Sequence, residues 1–447
     1  MKKIQQGGLR RRLALGAAGA KSGLGLLSAR ASGLLLPKEQ QQQHHDAALE
    51  REAMRFVAQL GELKGAYVKI GQMMALYGEH LLPKPITKAL HTLEHQTKAL
   101  HWDAIEPCLI KELGDDRKNL TIEPTAFAAA SLAQVHRASL ASDPKPLCLK
   151  IQYPGVADAI HDDFDSVVQM LKLAKWLKAG REAEQFVEDL KALLLQEVDY
   201  HHEQRTLQHM HQLLAGESNV KVPQPVSVLS TARCLTMEYC EGYSVTDEAV
   251  QCLSQERRNR LAYAMLSVFF KEVFEWNLMQ TDPNFGNYRI AIDDSEGQDQ
   301  LVLLDFGAVH QLPETFSQSL KSAILAAYQR DHPSLIDALI ALRCLRDSDA
   351  DSVKASFAEF CCFIIEPFRN DFESMPDHAH DGARYDWRES RLLRRAGKLG
   401  SQSTLVKGFV MPPREFMLLV RKLTGVFTFV STLGAKLDAS PLIEQYL

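Results

Sequence analysis

Two short motifs late in this 447-residue chain constrain its fold more than any other feature. The first is Asp282-Pro283-Asn284-Phe285-Gly286-Asn287, and the second is Asp305-Phe306-Gly307. Between them lie two apolar runs, 288–292 and 301–304, which an acidic turn at 293–297 separates. Short apolar runs joined by turn residues predict a β-hairpin. The sequence therefore predicts two polar motifs that flank one hairpin.

The residue types and spacing of these motifs are typical of phosphoryl transfer. Such a site needs a carboxylate near the acceptor, ligands for magnesium and a cation on the nucleotide phosphates. Asp282 and Asn287 have the spacing of the base and the magnesium ligand in the kinase catalytic loop, and Asp305 opens the second metal motif. Either motif alone also fits an ordinary polar loop. Their order around a hairpin favours Asp282 as base or water-orienting residue, with Asn287 and Asp305 as ligands of Mg²⁺.

A lysine in an apolar strand supplies the candidate cation. Lys150 lies in the strand-like run 147–152, which a turn at 142–146 joins to the run 133–139. A lone ammonium in such a strand is costly unless it meets an anion, although a lysine that reaches the surface would also fit. We predict that Lys150 contacts the phosphates of ATP.

Three carboxylates follow on a helix that the periodicity predicts over 186–214. At about 100° per residue, Asp199 and Glu203 share one face of this helix, while Glu197 points about 120° away from Glu203. Carboxylates on two faces indicate two different cationic partners.

The loop before Lys150 departs from the glycine-rich loop that covers the phosphates in protein kinases. It reads Ala128-Ala129-Ala130-Ser131-Leu132-Ala133-Gln134, and alanine is restricted at the positive φ that glycine adopts. Such an alanine run also fits the start of a helix or a tightly packed segment. If it is a nucleotide loop, it would bind ATP in a different way from the glycine-rich loop. The residues that we predict to bind the nucleotide together with Lys150 are Ala128, Ala129, Ala130, Ser131, Gln134, Glu238 and Tyr239, the last two at the end of a strand predicted over 234–239.

The segment that follows Asp305-Phe306-Gly307 is short. A protein kinase has a long segment at this place, which ends in Ala-Pro-Glu and holds the peptide substrate. This chain has Pro313-Glu314 only a few residues further on. The platform for a peptide substrate is therefore predicted to be absent.

Composition and charge restrict the possible partners and the compartment. The net charge of −5 lacks the basic excess that non-specific nucleic-acid binding requires, so we expect no nucleic-acid partner. The eight cysteines contain no Cys-x-x-Cys motif, which favours a reducing compartment. No uninterrupted apolar stretch reaches the roughly 18 residues of a membrane-spanning helix. The first 45 residues are basic, and they form either a flexible tail or a segment for targeting or for contact with an anionic membrane.

These motifs together resemble the UbiB/AarF group of atypical kinases, especially the branch that supports coenzyme Q biosynthesis. The resemblance covers about residues 61–436. Its motifs are Lys69-Ile70-Gly71-Gln72, the alanine-rich loop, Lys150-Ile151-Gln152-Tyr153-Pro154-Gly155, Glu197-Val198-Asp199-Tyr200 with Glu203, Gln280-Thr281-Asp282-Pro283-Asn284, and the helix after Pro412-Pro413.

The resemblance implies an α+β, atypical protein-kinase-like two-lobe fold with an N-terminal helical extension. The implied domains are a basic segment at 1–45, which is flexible or membrane-associated, the helical extension at 46–115, a kinase-like N-lobe at 116–241 and a mainly helical C-lobe at 242–447. ATP and Mg²⁺ are the implied cofactors, with Asp282, Lys150 and Glu203 as catalytic residues. Ala133 departs from the glycine that related chains often have at its place, and related bacterial chains often carry a paired C-terminal transmembrane segment that this chain is expected to lack.

The resemblance also implies two ion pairs and a regulatory element. Lys150 is expected to pair with Glu203, and Lys69 with Glu197. Lys69 and Gln72, together with Glu197 and Asp199, would occlude the space that a peptide substrate occupies in protein kinases. The implied partners are an isoprenoid or quinone-precursor lipid, proteins of quinone biosynthesis and a peripheral membrane surface. The implied location is the cytoplasmic side of the membrane for a bacterial chain and the mitochondrion for a eukaryotic one.

Three functions remain open from the sequence. The first is an atypical kinase-like ATPase or a lipid or small-molecule phosphotransferase that assists ubiquinone synthesis. The second is a nucleotide-regulated scaffold or lipid-extracting chaperone in which ATP binding changes conformation. The third is a phosphotransferase with an unrelated small acceptor, which the occluding Lys69 motif disfavours.

Overall fold

The computed structural model of this chain describes residues 38–63, 65–78, 81–95, 99–177, 180–295, 298–372, 375–404 and 412–446. Residues 1–37 of the predicted basic segment, and part of the acidic turn at 293–297, lie outside the described residues.

The helices account for most of the described chain, as the sequence periodicity predicts. They are α1 (Lys38–Leu63), α2 (Ala66–Tyr77), α3 (Lys84–His91), α4 (Trp102–Leu113), α5 (Val156–Leu173), α6 (Arg181–Gln196), α7 (Tyr200–Leu213), α8 (Glu248–Gln251), α9 (Gln255–Phe274), α10 (Glu314–Gln329), α11 (His332–Ala341), α12 (Asp351–Ile364), α13 (Leu392–Thr404), α14 (Arg414–Leu433) and α15 (Ser440–Glu444).

The strands are short and form four small sheets among the described residues. They are β1 (Leu120–Ile122), β2 (Ala128–Ala129), β3 (Ala133–Leu140), β4 (Pro146–Gln152), β5 (Val220–Lys221), β6 (Cys234–Glu238), β7 (Leu278–Gln280), β8 (Tyr288–Ala291), β9 (Gln300–Leu303), β10 (Val309–Gln311), β11 (His380–Asp381), β12 (Arg384–Asp386) and β13 (Lys436–Leu437). Both hairpins expected from the sequence are present, as β3–β4 and β8–β9.

The chain forms two compact units. The first contains the described residues up to Arg205 together with Pro225–Tyr239. Its antiparallel sheet has the order β1-β3-β4-β6, with β2 paired to β3. Helices α1–α4 of the predicted extension share one apolar core with this sheet and with α5 and α6. A buried hydrogen bond of 2.6 Å from Tyr67 to Asp163 joins α2 to α5 within that core.

The second unit contains Thr206–Gln224 and Cys240 to the C-terminus. Its main sheet has the order β5-β9-β8, and a separate ladder pairs β7 with β10. Helices α9 and α14 pack against each other in the core of this unit. The helix expected after Pro412-Pro413 is α14, and it begins directly after Pro413, where a proline is tolerated because no intrahelical donor is lost.

Two features differ from the sequence prediction. The single helix predicted over 186–214 is two helices, because the chain turns at 197–199 between α6 and α7. No strand is predicted from the sequence for residues 380–386, whereas this polar region forms a sheet in which β12 pairs with both β11 and β13. Strands of two or three residues are too short to show a period of two, so the sequence pattern gives no sign of them.

The described residues contain one helix, α14, that is long and apolar enough to cross a membrane by length and composition alone. Half of its most apolar window is buried inside the protein. A core helix passes the same test, and the buried Lys422 within α14 forms an ion pair of 2.8 Å with Glu272 of α9. These contacts are those of a core helix.

Candidate active site

Two strand ladders bring the polar motifs of the second unit together. Strand β7 pairs antiparallel with β10, and Thr281 extends this ladder by donating from its backbone amide to Ala308. The hairpin β8–β9 is extended in the same way, because the amide of Leu304 donates to the carbonyl of Asn287 at 2.9 Å. Asn287 and the residue after Leu304, Asp305, therefore lie at the same end of one hairpin. Both also line one small cavity.

Asp282 is held by two donors. The amide nitrogen of Asn287 donates to Oδ2 of Asp282 at 3.1 Å and to its backbone carbonyl at 2.9 Å. The guanidinium of Arg421 donates to Oδ1 of Asp282 at 2.9 Å. The Asp282 carboxylate is about one third exposed, so it remains accessible to solvent. A carboxylate fixed in this way can orient a water molecule or accept its proton.

The residues proposed for magnesium have the oxygen donors that this ion prefers. Because Asn287 directs its amide nitrogen at two acceptors on Asp282, its amide oxygen is left to serve as a ligand. One oxygen of Asp305 accepts from the amide of Gly307 at 2.9 Å, which fixes the carboxylate. Magnesium is usually bound by one or two protein oxygens together with substrate phosphates and water. The donor set of Asn287 and Asp305 fits that pattern.

A buried polar network supports the loop from beneath. The side chain of Gln280 donates to the carbonyl of Asp282 at 2.6 Å and accepts from Lys422 at 3.2 Å and from Tyr288 at 3.2 Å. Burial lowers the pKa of Lys422, but the nearby charge of Glu272 outweighs it, so this pKa lies above its ordinary value. Lys422 is therefore a charged residue in the core, and it fixes the base of the loop.

Glycine at position 425 lets α14 approach this loop closely. A Cβ atom added at Gly425 would collide with Pro283, lying 2.6 Å from its Cγ. Helix α14 thus contacts the segment that carries Asp282 at three positions, Arg421, Lys422 and Gly425. None of the three is predicted from the sequence, where the only sign of them is a pair of basic residues beside an apolar run.

In the first unit, Lys150 forms the expected ion pair with Glu203. Its Nζ atom donates to Oε1 of Glu203 at 2.6 Å and lies 5.4 Å from the ring centre of Tyr200. The Lys150 side chain is 17% exposed and the Glu203 side chain 3%. Glu203 lies in the first turn of α7, where the helix dipole favours a negative charge. The pair fixes the position of the Lys150 ammonium group within the first unit.

The motif Lys69-Ile70-Gly71-Gln72 is explained by four separate contacts. Lys69 pairs with Glu197 at 2.5 Å, as expected. Ile70 is buried in the core, and Gly71 gives α2 room to pack, because an added Cβ would collide with Leu93. The amide of Gln72 donates to the carbonyl of Leu93 at 3.1 Å.

The helical geometry that we assumed for the three carboxylates is wrong, although both ion pairs form. The 120° separation of Glu197 and Glu203 supposed one continuous helix, whereas Glu197 ends α6 and Glu203 lies in α7. Asp199 accepts from the backbone amide of His202 at 3.0 Å, the contact of an N-cap residue. Asp199 is thus the N-cap residue of α7. Its part in occluding the space of a peptide substrate, which the resemblance implies, stays a prediction.

The alanine-rich loop is a tight turn between β2 and β3. Ala128 and Ala129 pair with Val135 and Gln134, and no residue of the fully described stretch 128–134 has a positive φ. Tyr153 donates from its hydroxyl to the carbonyl of Ala130 at 3.1 Å, and burial raises the pKa of Tyr153 to about 12, so this donor stays protonated. The turn is therefore closed and held from below.

Gln134 differs from the prediction of a nucleotide contact. Its side chain is fully buried, accepts from the amide of Leu100 at 2.7 Å and lies 2.8 Å from Nε2 of His136. These contacts hold the hairpin to the segment before α4, and they leave the side chain no path to a ligand. The Gln134 side chain is therefore a structural contact of the hairpin and not a contact to the nucleotide.

Glu238 and Tyr239 end the strand β6, as expected, and the first compact unit ends with Tyr239. The hydroxyl of Tyr239 accepts from Arg137 at 2.7 Å, and its ring packs edge-on against Phe127. The side chain of Tyr239 is thus held by the sheet, and its backbone amide donates to the carbonyl of Pro146 at 2.9 Å.

The cysteines and the described acidic and histidine residues show no further metal centre. All eight cysteines are free. Within the described residues, no group of three or more His, Cys, Asp or Glu side chains could hold a metal ion.

Comparisons with known proteins agree with this architecture. A family model described as the ABC1 atypical kinase-like domain matches residues 92–339. The mitochondrial atypical kinase COQ8B of Danio rerio is 31% identical over 87% of this chain and 59% of its own length. The mitochondrial atypical kinase COQ8 of Saccharomyces cerevisiae is 27% identical over 88% of this chain and 75% of its own length.

A solved structure shows the same fold. It is the complex of Rv3197 with erythromycin from Mycobacterium tuberculosis, which has a TM-score of 0.60 and 21% identity and covers 87% of this chain and 93% of that one. This chain spans about three fifths of the length of the Danio relative. Because the family model matches more than half of the sequence, and the matched residues include both polar motifs at 282–287 and 305–307, this chain belongs to the ABC1 atypical kinase-like family.

Proposed function

We propose that this protein binds Mg-ATP and acts as an atypical kinase-like ATPase, or as a lipid or small-molecule phosphotransferase, in support of ubiquinone biosynthesis. The observation that carries this proposal is the arrangement of Asp282, Asn287 and Asp305, which combines a fixed carboxylate with two oxygen donors suited to magnesium. Bound magnesium would neutralise phosphate charge. Lys150, oriented by Glu203, supplies the cation for the nucleotide phosphates.

The segment after Asp305 supports a small acceptor in preference to a peptide. Strand β10 begins at Val309 and α10 begins at Glu314, so few residues separate Gly307 from the next helix. A protein kinase uses a much longer segment here to hold its peptide. Lys69 and Gln72 of the extension, together with Glu197 and Asp199, fit a regulatory element that limits access to the site.

The pathway and location follow from the relatives. The COQ8 proteins of animals and yeast carry the name atypical kinase and the label mitochondrial. We place this protein in the mitochondrion if its source is eukaryotic and at the cytoplasmic face of the membrane if it is bacterial. The basic N-terminus would contact an anionic membrane, where isoprenoid quinone precursors and the proteins that process them would meet it.

A second function is favoured by one observation. Both oxygens of Asp282 already accept hydrogen bonds, from Arg421 and Asn287. These bonds occupy lone pairs that would otherwise accept the proton of a nucleophile. This favours slow hydrolysis, in which ATP binding switches a scaffold or lipid-extracting chaperone between conformations.

Three proteins separate these functions: the wild type, Asp282→Asn and Asp305→Asn. ATP affinity and turnover are measured on the purified chains, and quinone content is measured in cells that lack the gene and express each one. Phosphotransfer predicts that Asp282→Asn keeps ATP binding, lowers turnover roughly 10²- to 10⁴-fold and lowers quinone content. Normal quinone content without turnover would support the scaffold. Unchanged quinone content after deletion of the gene would refute the pathway.

A further inference from the structure

The helical part of the second unit holds a large apolar cavity that is partly open to solvent. Its volume is about 420 Å³, within the range of ligand sites in proteins. Among the described residues, its lining comes from this unit, on α9 to α14 and on the turn that follows α12. It is therefore separate from the small cavity at Asn287 and Asp305, although Phe269 borders both.

The lining is chemically uniform. It contains seven phenylalanines, among them Phe270, Phe360 and Phe416, and otherwise aliphatic or small residues. Within the part of the chain that the structure describes, none of the lining residues is charged. The two with polar side-chain atoms are Thr424, whose hydroxyl donates to the carbonyl of Val420 on its own helix, and Cys361, whose thiol pKa is raised by burial. Both are neutral, and the threonine hydroxyl is already paired.

A cavity of this kind is unsuited to water and costly when empty. Water needs two to four polar partners, and the lining offers hardly any. Without a ligand, the apolar side chains that face this space are exposed to water, which is unfavourable in proportion to their area. An apolar ligand removes that cost, because its burial replaces the missing contacts.

We propose that this cavity binds the hydrocarbon chain of a neutral isoprenoid lipid. The size and the uncharged lining define an uncharged, chain-like ligand, and the isoprenoid type rests on the proposed function in quinone biosynthesis. A linear acyl chain has similar chemistry, and the experiment below distinguishes the two. The site would hold the lipid beside α14, the helix that also contacts the Asp282 loop.

The test uses the full-length protein and two probes of equal total carbon number. The first is the isoprenoid alcohol farnesol, and the second is the linear alcohol pentadecanol. Binding is measured by displacement of a fluorescent apolar dye. The key variant is Ala323→Phe, which fills the cavity from α10, and Ala396→Phe fills it from α13. Ser322→Phe is the matched control, because it places the same side chain on the exposed face of α10.

Saturable farnesol binding by the wild type and by Ser322→Phe, weakened at least 10-fold in both filling variants with an unchanged or higher Tm, would support the proposal. Absence of saturable binding, or equal binding by the filling variants, would overturn it. Tighter binding of pentadecanol than of farnesol would overturn the isoprenoid assignment.

The test is independent of the nucleotide site. Asp305→Asn should bind farnesol normally, and Ala323→Phe should still bind Mg-ATP. A wild-type protein that does not bind ATP would therefore refute the proposed function, while the measurement of farnesol binding would remain valid.

Discussion

The guanidinium of Arg421 donates a hydrogen bond of 2.9 Å to the carboxylate of Asp282, a residue 139 positions earlier in the chain. Asp282 is the candidate base, so Arg421 sets both its orientation and its charge environment. Arg421 acts through Asp282 and is a positioning residue.

Replacing Arg421 should therefore reduce turnover and leave ATP affinity nearly unchanged. We expect Arg421→Ala to lower kcat for ATP by roughly 10- to 100-fold, since a misplaced catalytic group costs about that much. Steady-state kinetics measures the split between kcat and KM. Arg421→Lys should recover only part of the rate, because an ammonium lacks the planar donor geometry. Arg394→Ala, at an exposed arginine of α13, is the control. Equal losses when Arg421→Ala is made in wild type and in Asp282→Asn would contradict a role through Asp282.

Gly425→Ala should disturb the same loop by crowding. The added methyl group would collide with Pro283, and overpacking of this type costs about 1–3 kcal/mol. We expect a lower Tm together with a lower kcat, measured by thermal unfolding and ATP turnover. Gly397→Ala in α13 is the matched control, because nothing lies within 4 Å of the added Cβ. That variant should gain up to roughly 1 kcal/mol from helix propensity. Equal behaviour of the two variants would contradict close packing at Pro283.

Lys150→Met should weaken both folding and ATP binding. The nearly buried Glu203 would lose the lysine, which typically costs about 3–5 kcal/mol for a buried pair. Chemical denaturation gives the stability, and calorimetry gives the affinity for Mg-ATP. The double variant Lys150→Met/Glu203→Gln should regain much of the stability without regaining ATP affinity. If the double variant binds ATP like the wild type, Lys150 has no contact with the phosphates.

Stability should fall on mild acidification because of His136. Burial lowers the pKa of His136 below its ordinary value of 6.5. Its Nδ1–H donates to the carbonyl of Glu123, and Nε2 accepts from the amide of Gln134, so the folded protein holds the neutral ring. The unfolded chain then binds the proton more readily, and the free energy of unfolding decreases as the pH falls below about 6.5 towards the lower folded value. His136→Gln should flatten this slope in urea titrations between pH 7 and pH 5, whereas an unchanged slope would exclude His136 as its source.

The sequence predicted the parts of the site that depend on local pattern. The loop containing Asp282 and Asn287, the hairpin β8–β9 and the strand around Lys150 each have a short-range signature in turn residues and apolar runs. The partners Glu203 for Lys150 and Glu197 for Lys69 came from the resemblance to a family. The helix break between them was missed, because the apolar period continues across 197–199.

The contacts of α14 could not be predicted in the same way. Arg421 and Lys422 lie more than 130 positions from their partners on the loop, and a basic pair beside an apolar run is ordinary at a helix surface. Gln134 was assigned to the nucleotide because it belongs to the loop that stands in place of the glycine-rich loop of kinases. Its burial depends on Leu100, which only tertiary structure brings near.

Helix α14 contacts two candidate sites. Residues 421–425 contact the loop that carries Asp282. Leu419, Leu423 and Phe427 of the same helix border the apolar cavity. A rigid helix cannot shift at one of these places without shifting at the other. Energetic coupling between two sites is reciprocal, so a lipid that alters nucleotide affinity must have its own affinity altered by the same factor. A lipid in the apolar cavity would then change the occupancy of the nucleotide site, and the nucleotide would change the affinity for that lipid in return.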